Sequence, residues 1–212
     1  MQLDIYETGS MPVNTYVLKD EESKEAIVID VGGDFENIKN KTESQGYTIQ
    51  YILNTHGHFD HVLGEIYARQ NYPTLPIYIH KDDICHLQRI KEEMSFFCSV
   101  PKDMINVFEQ YPPEFIDEKT ELLIGKNKVD ILYTPGHSQG SLSFYISPWL
   151  FTGDTLFYRS IGRTDFYDGN FDTLITSIKS NFLILPDETI IYPGHGQSTT
   201  IKYEKQFNEF LY

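Results

Sequence analysis

Cysteine is scarce in this sequence: Cys85 and Cys98 are the only two in 212 residues. Two thiols are too few for the disulfide framework that staples small secreted domains, so both are expected to be reduced. Long apolar runs are missing as well. No stretch approaches the roughly 20 apolar residues that span a bilayer. The start, Met1-Gln2-Leu3-Asp4-Ile5-Tyr6, has no basic segment followed by an apolar core, so no export signal is expected and the chain reads as cytoplasmic, with no membrane partner. Basic residues are few: 17 Lys and Arg stand against 31 Asp and Glu, for a formal charge of −14. A phosphate-rich polymer is repelled by such a balance at long range, which argues against a nucleic-acid partner.

What is present is ordinary globular material, 40% hydrophobic and 23% charged, a balance that excludes a disordered or fibrous chain. A single domain of this length buries roughly 70% of its unfolded surface and needs no staples. No internal repeat, low-complexity tract or long linker interrupts it, so one domain over residues 1–212 is expected. Short β-branched apolar runs predict strands at 14–18, 26–30, 51–54, 77–80, 129–133, 142–146 and 189–192. Helical spacing appears at 35–44, 61–70, 82–90, 171–182 and 201–211. Residues 91–117, with Met94, Phe96, Phe97, Val100 and the Pro112-Pro113 pair, show no clean period. They are expected to form either a loop-rich cover over a pocket or a packed connection.

The chemistry concentrates in His56-Gly57-His58-Phe59-Asp60-His61, which follows a strand candidate and precedes a helical pattern. Four of its six residues are good metal ligands, and Gly57 relieves the backbone crowding of a tight turn. Three further donors sit in glycine-bearing turns after strand candidates: His137 in Thr134-Pro135-Gly136-His137, Asp154 in Thr152-Gly153-Asp154, and His195 in Pro193-Gly194-His195-Gly196. Loops at strand ends can converge on one point. His80 and His86 lie outside these motifs and read as structural. Cys85 is discounted as a partner of His86, because adjacent helical residues face different directions.

The ordered set H-x-H-x-D-H, G-H, G-D and G-H-G resembles the metallo-β-lactamase superfamily over essentially the whole chain, and Ile29-Asp30-Val31-Gly32-Gly33 resembles that superfamily's early D-x-G-G turn. The resemblance implies an α/β fold, a four-layer αββα sandwich, that periodicity alone does not establish. It implies that His56, His58 and His137 hold one metal, that Asp60, His61 and His195 hold a second, and that Asp154 bridges them. The cofactor is then two divalent ions, zinc first, with iron or manganese as alternatives for nitrogen and oxygen donors. Asp60 and Asp154 are the catalytic candidates, Asp60 by orienting the attacking water. Histidine at position 58, where the oxygen-reducing diiron branch has glutamate, favours hydrolysis.

Residues 156–166 resemble the segment that follows the bridging aspartate in glyoxalase II-like and persulfide dioxygenase proteins, with Arg163 where glyoxalase II commonly has a substrate-binding lysine. Arg163 is therefore a candidate to hold a substrate carboxylate, against the alternative of a salt bridge with Asp165 or Asp168. The sequence differs from glyoxalase II in ending at Tyr212, shortly after His195, with no counterpart of the C-terminal helical domain that binds glutathione. Lys202 and Lys205 are equally explained as solvated helix charges. The expected partner is a small-molecule acyl-thiol, its carrier being glutathione or another small thiol. A mononuclear iron persulfide dioxygenase, a lactonase and a non-catalytic binding module are the competing readings. Phe157, Tyr158, Phe166 and Tyr167 are expected near the mouth of the site.

Overall fold

The computed structural model describes residues 1–97 and 106–212, with 91–97 as backbone. Two six-stranded sheets stack face to face, each covered by helices on its outer side. The first sheet runs β1 (Gln2–Thr8), β2 (Val13–Lys19), β3 (Glu25–Ile29), β4 (Thr48–Leu53), β5 (Ile77–Ile79) and β6 (Glu114–Phe115), in that spatial order. Its β1 to β3 pairs are antiparallel and the β3 to β6 pairs parallel. In the second sheet, β7 (Leu122–Ile124), β8 (Asn127–Tyr133), β9 (Leu142–Ile146) and β10 (Trp149–Gly153) form an antiparallel meander. The small hairpin of β11 (Leu156–Phe157) and β12 (Ser160–Ile161) follows. The chain then returns to the second sheet as β13 (Ile190–Pro193), parallel to β10, with β14 (Thr199–Thr200) on the edge.

Alternation along each strand explains the layering. In β2 and β3, Tyr16, Leu18, Ile27 and Ile29 point between the sheets, where they meet Ile131, Leu142, Phe144 and Phe151 of the second sheet. The intervening Val17, Ala26 and Val28 face outward onto Phe35 and Ile38 of α1 (Phe35–Ser44) and Ala68 of a later helix. Both faces are thus apolar, which is why these strands read as continuous hydrophobic runs. Phe144 and Phe151 are fully buried; sequestering each contributes about 1.5–3 kcal/mol. On the far side Leu150 and Ile191 pack against Leu174 of the helix Phe171–Ser177, against Phe182 of the π-helical turn Ile178–Phe182, and against Ile201 of the helix Ile201–Phe207.

The structure breaks three of the expected helices, the one at 201–211 ending at Phe207 ahead of a separate 3-10 turn, Glu209–Leu211. Over 61–70 it has α2 (Phe59–Val62) and α3 (Glu65–Asn71), parted where the Gly64 N–H donates to the Val31 carbonyl at 2.8 Å and ties the turn to the first sheet. The helix expected at 171–182 passes into the π turn after Ser177. Helix α4 (Ile84–Phe97) follows a 3-10 turn, Lys81–Asp83, and α5 (Val107–Gln110) precedes β6; the helices Phe171–Ser177 and Ile201–Phe207 are α6 and α7. Of the 91–117 segment, residues 98–105, Cys98 and Val100 among them, lie outside the described residues. Its later part is a packed connection, with Val107 and Phe108 buried against Phe59, Ile66, Leu87 and Ile90. Among the described residues no helix is long and apolar enough to cross a membrane.

Candidate metal centre

One edge of the sandwich collects the ends of β3, β4, β8, β10 and β13, and each is followed by a polar side chain that turns inward: Asp30, His56, His137, Asp154 and His195. His58 ends the same loop as His56, and Asp60 and His61 occupy the first turn of α2. The seven donors expected from the sequence therefore converge. His56, His58 and His137 form one trio whose ligand atoms lie within 4.8 Å of one another, and Asp60, His61 and His195 form another. Asp154 lies between them: its Oδ1 is 3.4 Å from His61 Nε2, and its Oδ2 is 3.6 Å from His137 Nε2 and 3.7 Å from His195 Nε2.

Hydrogen bonds on the far side of each ring fix which nitrogen faces the centre. His137 Nδ1 donates to the Arg163 carbonyl at 2.8 Å and His195 Nδ1 to the Pro12 carbonyl at 2.6 Å. His61 Nδ1 donates to Asp30 Oδ2 at 2.9 Å. The Thr55 hydroxyl donates to the same oxygen at 2.8 Å and so accepts from His56 Nδ1 at 3.0 Å. Each of these Nδ1 contacts turns the ring's Nε2 toward the shared space, the atom through which a deprotonated imidazole binds metal. His58 presents Nδ1, 2.9 Å from His137 Nε2.

Buried polar atoms ordinarily have partners. Here His56 Nε2, His61 Nε2 and Asp154 Oδ1 are buried with no hydrogen-bond partner among the described residues. Three ligand-type atoms, orphaned around one point, fit a cation that takes the place of the imidazole proton. Gly194 is required for this closeness, since a Cβ there would run into Asp154 Oδ1 and stand 2.7 Å from His61 Cε1.

The electrostatics divide the rings. Burial, then repulsion from neighbouring histidines, pushes His56 and His58 well below the usual imidazole range, so both are neutral at physiological pH. Burial also opposes charge on His61, but Asp154, Asp30 and Asp60 outweigh it and hold that ring well above the ordinary value. His195 is raised in the same way by Asp60 and Asp154 against its burial. Burial would raise Asp60 and Asp154, yet His61 and the other imidazoles hold both carboxyls below their usual range.

A cavity of about 380 Å³ opens onto this floor, walled by Met11, Phe59, His86, Arg89, Phe166 and Tyr167, with Arg163 at its rim. Arg163 forks onto Asp165, Nε to Oδ1 at 2.6 Å and Nη2 to Oδ2 at 2.8 Å, and stacks on Phe166 at 4.3 Å. It is thus both cavity rim and salt bridge. Phe166 and Tyr167 line the cavity as expected; Phe157 stands beside His195 at 6.4 Å between ring centroids, whereas Tyr158 turns away to stack on Tyr203. His80 is structural, its Nδ1 accepting from the Asp82 N–H. His86, expected to be structural, instead borders the centre: its ring is 4.5 Å from that of His58 and its Nε2 is 3.0 Å from Asp168 Oδ2.

Asp83, His86 and Asp168 also come close enough to suggest a ligand group, but both Asp83 oxygens already accept from Gly57, Ser138 and Gly140. Asp83 and Asp168 carried no local motif, since their partners are distant in sequence. Cys85 is a free thiol whose Sγ lies 3.1 Å from the Tyr167 hydroxyl.

Comparison with known proteins bears out the fold. The family profile described as "Metallo-beta-lactamase superfamily" matches residues 8–195. The hydroxyacylglutathione hydrolase GloC of Haemophilus influenzae is 33% identical, over 100% of this chain and 98% of that protein. The solved BLEG-1 B3 metallo-beta-lactamase superposes with a TM-score of 0.83 at 33% identity, covering 99% of each chain. A protein solved in a di-iron-bound form, TTHA1623, superposes equally well at 31% identity, over 98% of this chain and 100% of the other.

Proposed function

This chain belongs to the metallo-beta-lactamase superfamily, and from that premise we propose that it is a dinuclear metallohydrolase that cleaves acyl thioesters of a small thiol, lactoyl conjugates among them. The observation that carries the reading is the meeting of two donor trios at Asp154 beneath an open cavity. A divalent pair supplies the acidification of a water towards pH ~7 and the polarisation of a carbonyl. Zinc is the first choice; iron suits the same donors and is supported by the di-iron relative.

The chain's own groups do the rest. His56, His58 and His137 would hold one ion and Asp60, His61 and His195 the other, with Asp154 between. Asp60 Oδ2, 3.3 Å from His195 Nε2 on the cavity floor, is placed to accept a hydrogen bond from the attacking water and aim it. Ring N–H bonds to Asp30, Pro12 and Arg163 keep the facing lone pairs aligned. Phe166 and Met11 give the acyl chain an apolar wall. A thiolate is a weakly basic leaving group, so no protein acid is needed to expel it. Arg163 would bind a carboxylate of the thiol by exchanging it for Asp165. The name carried by the Haemophilus influenzae relative supports this substrate class.

The test is a panel of thioesters, lactones, phosphodiesters and β-lactams assayed with quantified metal. Thiol release with two ions per chain is the expected result. Oxygen consumption on a persulfide by protein holding one iron would replace this reading with the dioxygenase one.

A further inference from the structure

Resting on the two-ion reading, we infer that the two halves of the centre are braced by separate residues outside the ligand set, Asp83 for the His56, His58 and His137 trio and Asn14 for the Asp60, His61 and His195 trio. Asp83 is fully buried at the end of the 3-10 turn before α4. Its Oδ2 accepts from the Gly57 N–H at 2.8 Å and from the Ser138 hydroxyl at 2.8 Å, and its Oδ1 accepts from the Gly140 N–H at 2.5 Å. Gly57 sits between His56 and His58, and Ser138 follows His137. One carboxylate therefore ties together the two loops that carry the first trio. Gly140 permits the approach, because a Cβ there would stand 2.5 Å from Asp83 Oδ1.

Asn14 does the corresponding work for the second trio. Its Nδ2 donates to the Pro193 carbonyl at 3.0 Å and the Gly196 carbonyl at 2.8 Å, gripping both ends of the turn that presents His195. Its backbone N–H adds a bond to the Gly194 carbonyl at 2.7 Å. Asn14 is buried, and its partners are distinct from those of Asp83. Asp30 is the common support, since it reaches His61 directly and His56 through Thr55. Among the described residues Asp83 and Asn14 share no partner, and positions without shared partners act nearly independently.

Asp83→Asn places an amide NH2 against either the Gly57 or the Gly140 N–H, donor against donor. Asn14→Ala frees the His195 turn while leaving its backbone bond. Loss of a group that orients ligands typically weakens metal binding 10- to 100-fold. The probe is cobalt(II) titrated into metal-free protein, with affinities from chelator competition and occupancy assigned by the paramagnetically shifted ring N–H protons of His56, His137, His61 and His195.

In Asp83→Asn the His56 and His137 signals should fill 10- to 100-fold later while those of His61 and His195 keep their wild-type affinity; Asn14→Ala should do the reverse. A fold loosened in general would weaken both ions together, and that result, or no change in either, overturns the inference. If Asp83→Asn does not fold, Ser138→Ala removes one bond to the same carboxylate and should weaken the first ion alone, by less. Should wild type take up a single cobalt, the two-ion reading fails, and the inference is then judged by whether only one of the two substitutions weakens that ion.

Discussion

The Asp30 carboxylate stands 2.9 Å from Nδ1 of His61, and the same carboxylate accepts the N–H and hydroxyl of Thr55, both at 2.8 Å. Three buried donors from two elements converge on one side chain. Asp30 adopts a left-handed backbone, φ 52°, which Asn also tolerates, so Asp30→Asn tests the carboxylate without adding strain. Its NH2 must confront a buried donor, and an unsatisfied buried group costs about 1–3 kcal/mol. Urea unfolding of the metal-free variant should show that loss, and chelator competition should show weaker metal binding.

Metal removal should change how stability depends on pH. In the metal-free protein Asp60 and Asp154 are held below their ordinary carboxyl value of 3.8, so their contribution is present above that value and disappears as pH falls through the depressed one. His61 and His195 are held above 6.5; their contribution is complete below 6.5 and disappears as pH rises through the raised values. Stability of the metal-free form should therefore decline from about pH 6.5 upward. Metal binding requires these same rings deprotonated, so the metal-loaded form should gain over that range. Thermal melts with and without chelator should diverge as pH rises from 5.5 to 8, and constant separation would refute the assignment.

Asp154 contacts imidazoles of both trios, so its loss should not be confined to one ion. Asp154→Ala is expected to lower the metal content of both positions and to cut kcat/KM on the order of 10²–10⁴-fold, the range of a group acting on the reacting water. Retention of two metals and full turnover would contradict the bridging role.

Much of this was legible in the sequence because the chemistry is local. The H-x-H-x-D-H cluster and three glycine-flanked turns name the converging side chains, and strands such as Leu142–Ile146 appear where β-branched and aromatic runs put them. Edge and hairpin strands were not legible, and neither was the central β10, whose short Trp149–Gly153 run is squeezed between the Pro148 turn and Gly153. Ile5 of β1 is exposed and β7 has three residues, so neither leaves a hydrophobic period to read. The braces were hidden for a different reason: Asp83 meets Gly140 and Asn14 meets Pro193 only after the two sheets have packed. His86 looked like an ordinary helical residue until Asp168, from the loop before α6, closed on it.

Arg163 offers a test with two opposite signs. Its guanidinium is already forked onto Asp165, and both side chains are exposed, at 61% and 68%, so the pair itself adds little to stability. What Asp165 does instead is compete with any incoming carboxylate for the same two N–H groups. If Arg163 binds the anionic end of the substrate, Arg163→Ala should raise KM about 10-fold for a carboxylate-bearing thioester, with kcat nearly unchanged, the pattern of a contact made equally in ground and transition states. Asp165→Ala should move KM in the other direction by freeing the fork. An uncharged thioester should be indifferent to both substitutions. Equal effects on charged and uncharged substrates would mean that Arg163 serves only to hold the loop that receives the His137 ring N–H.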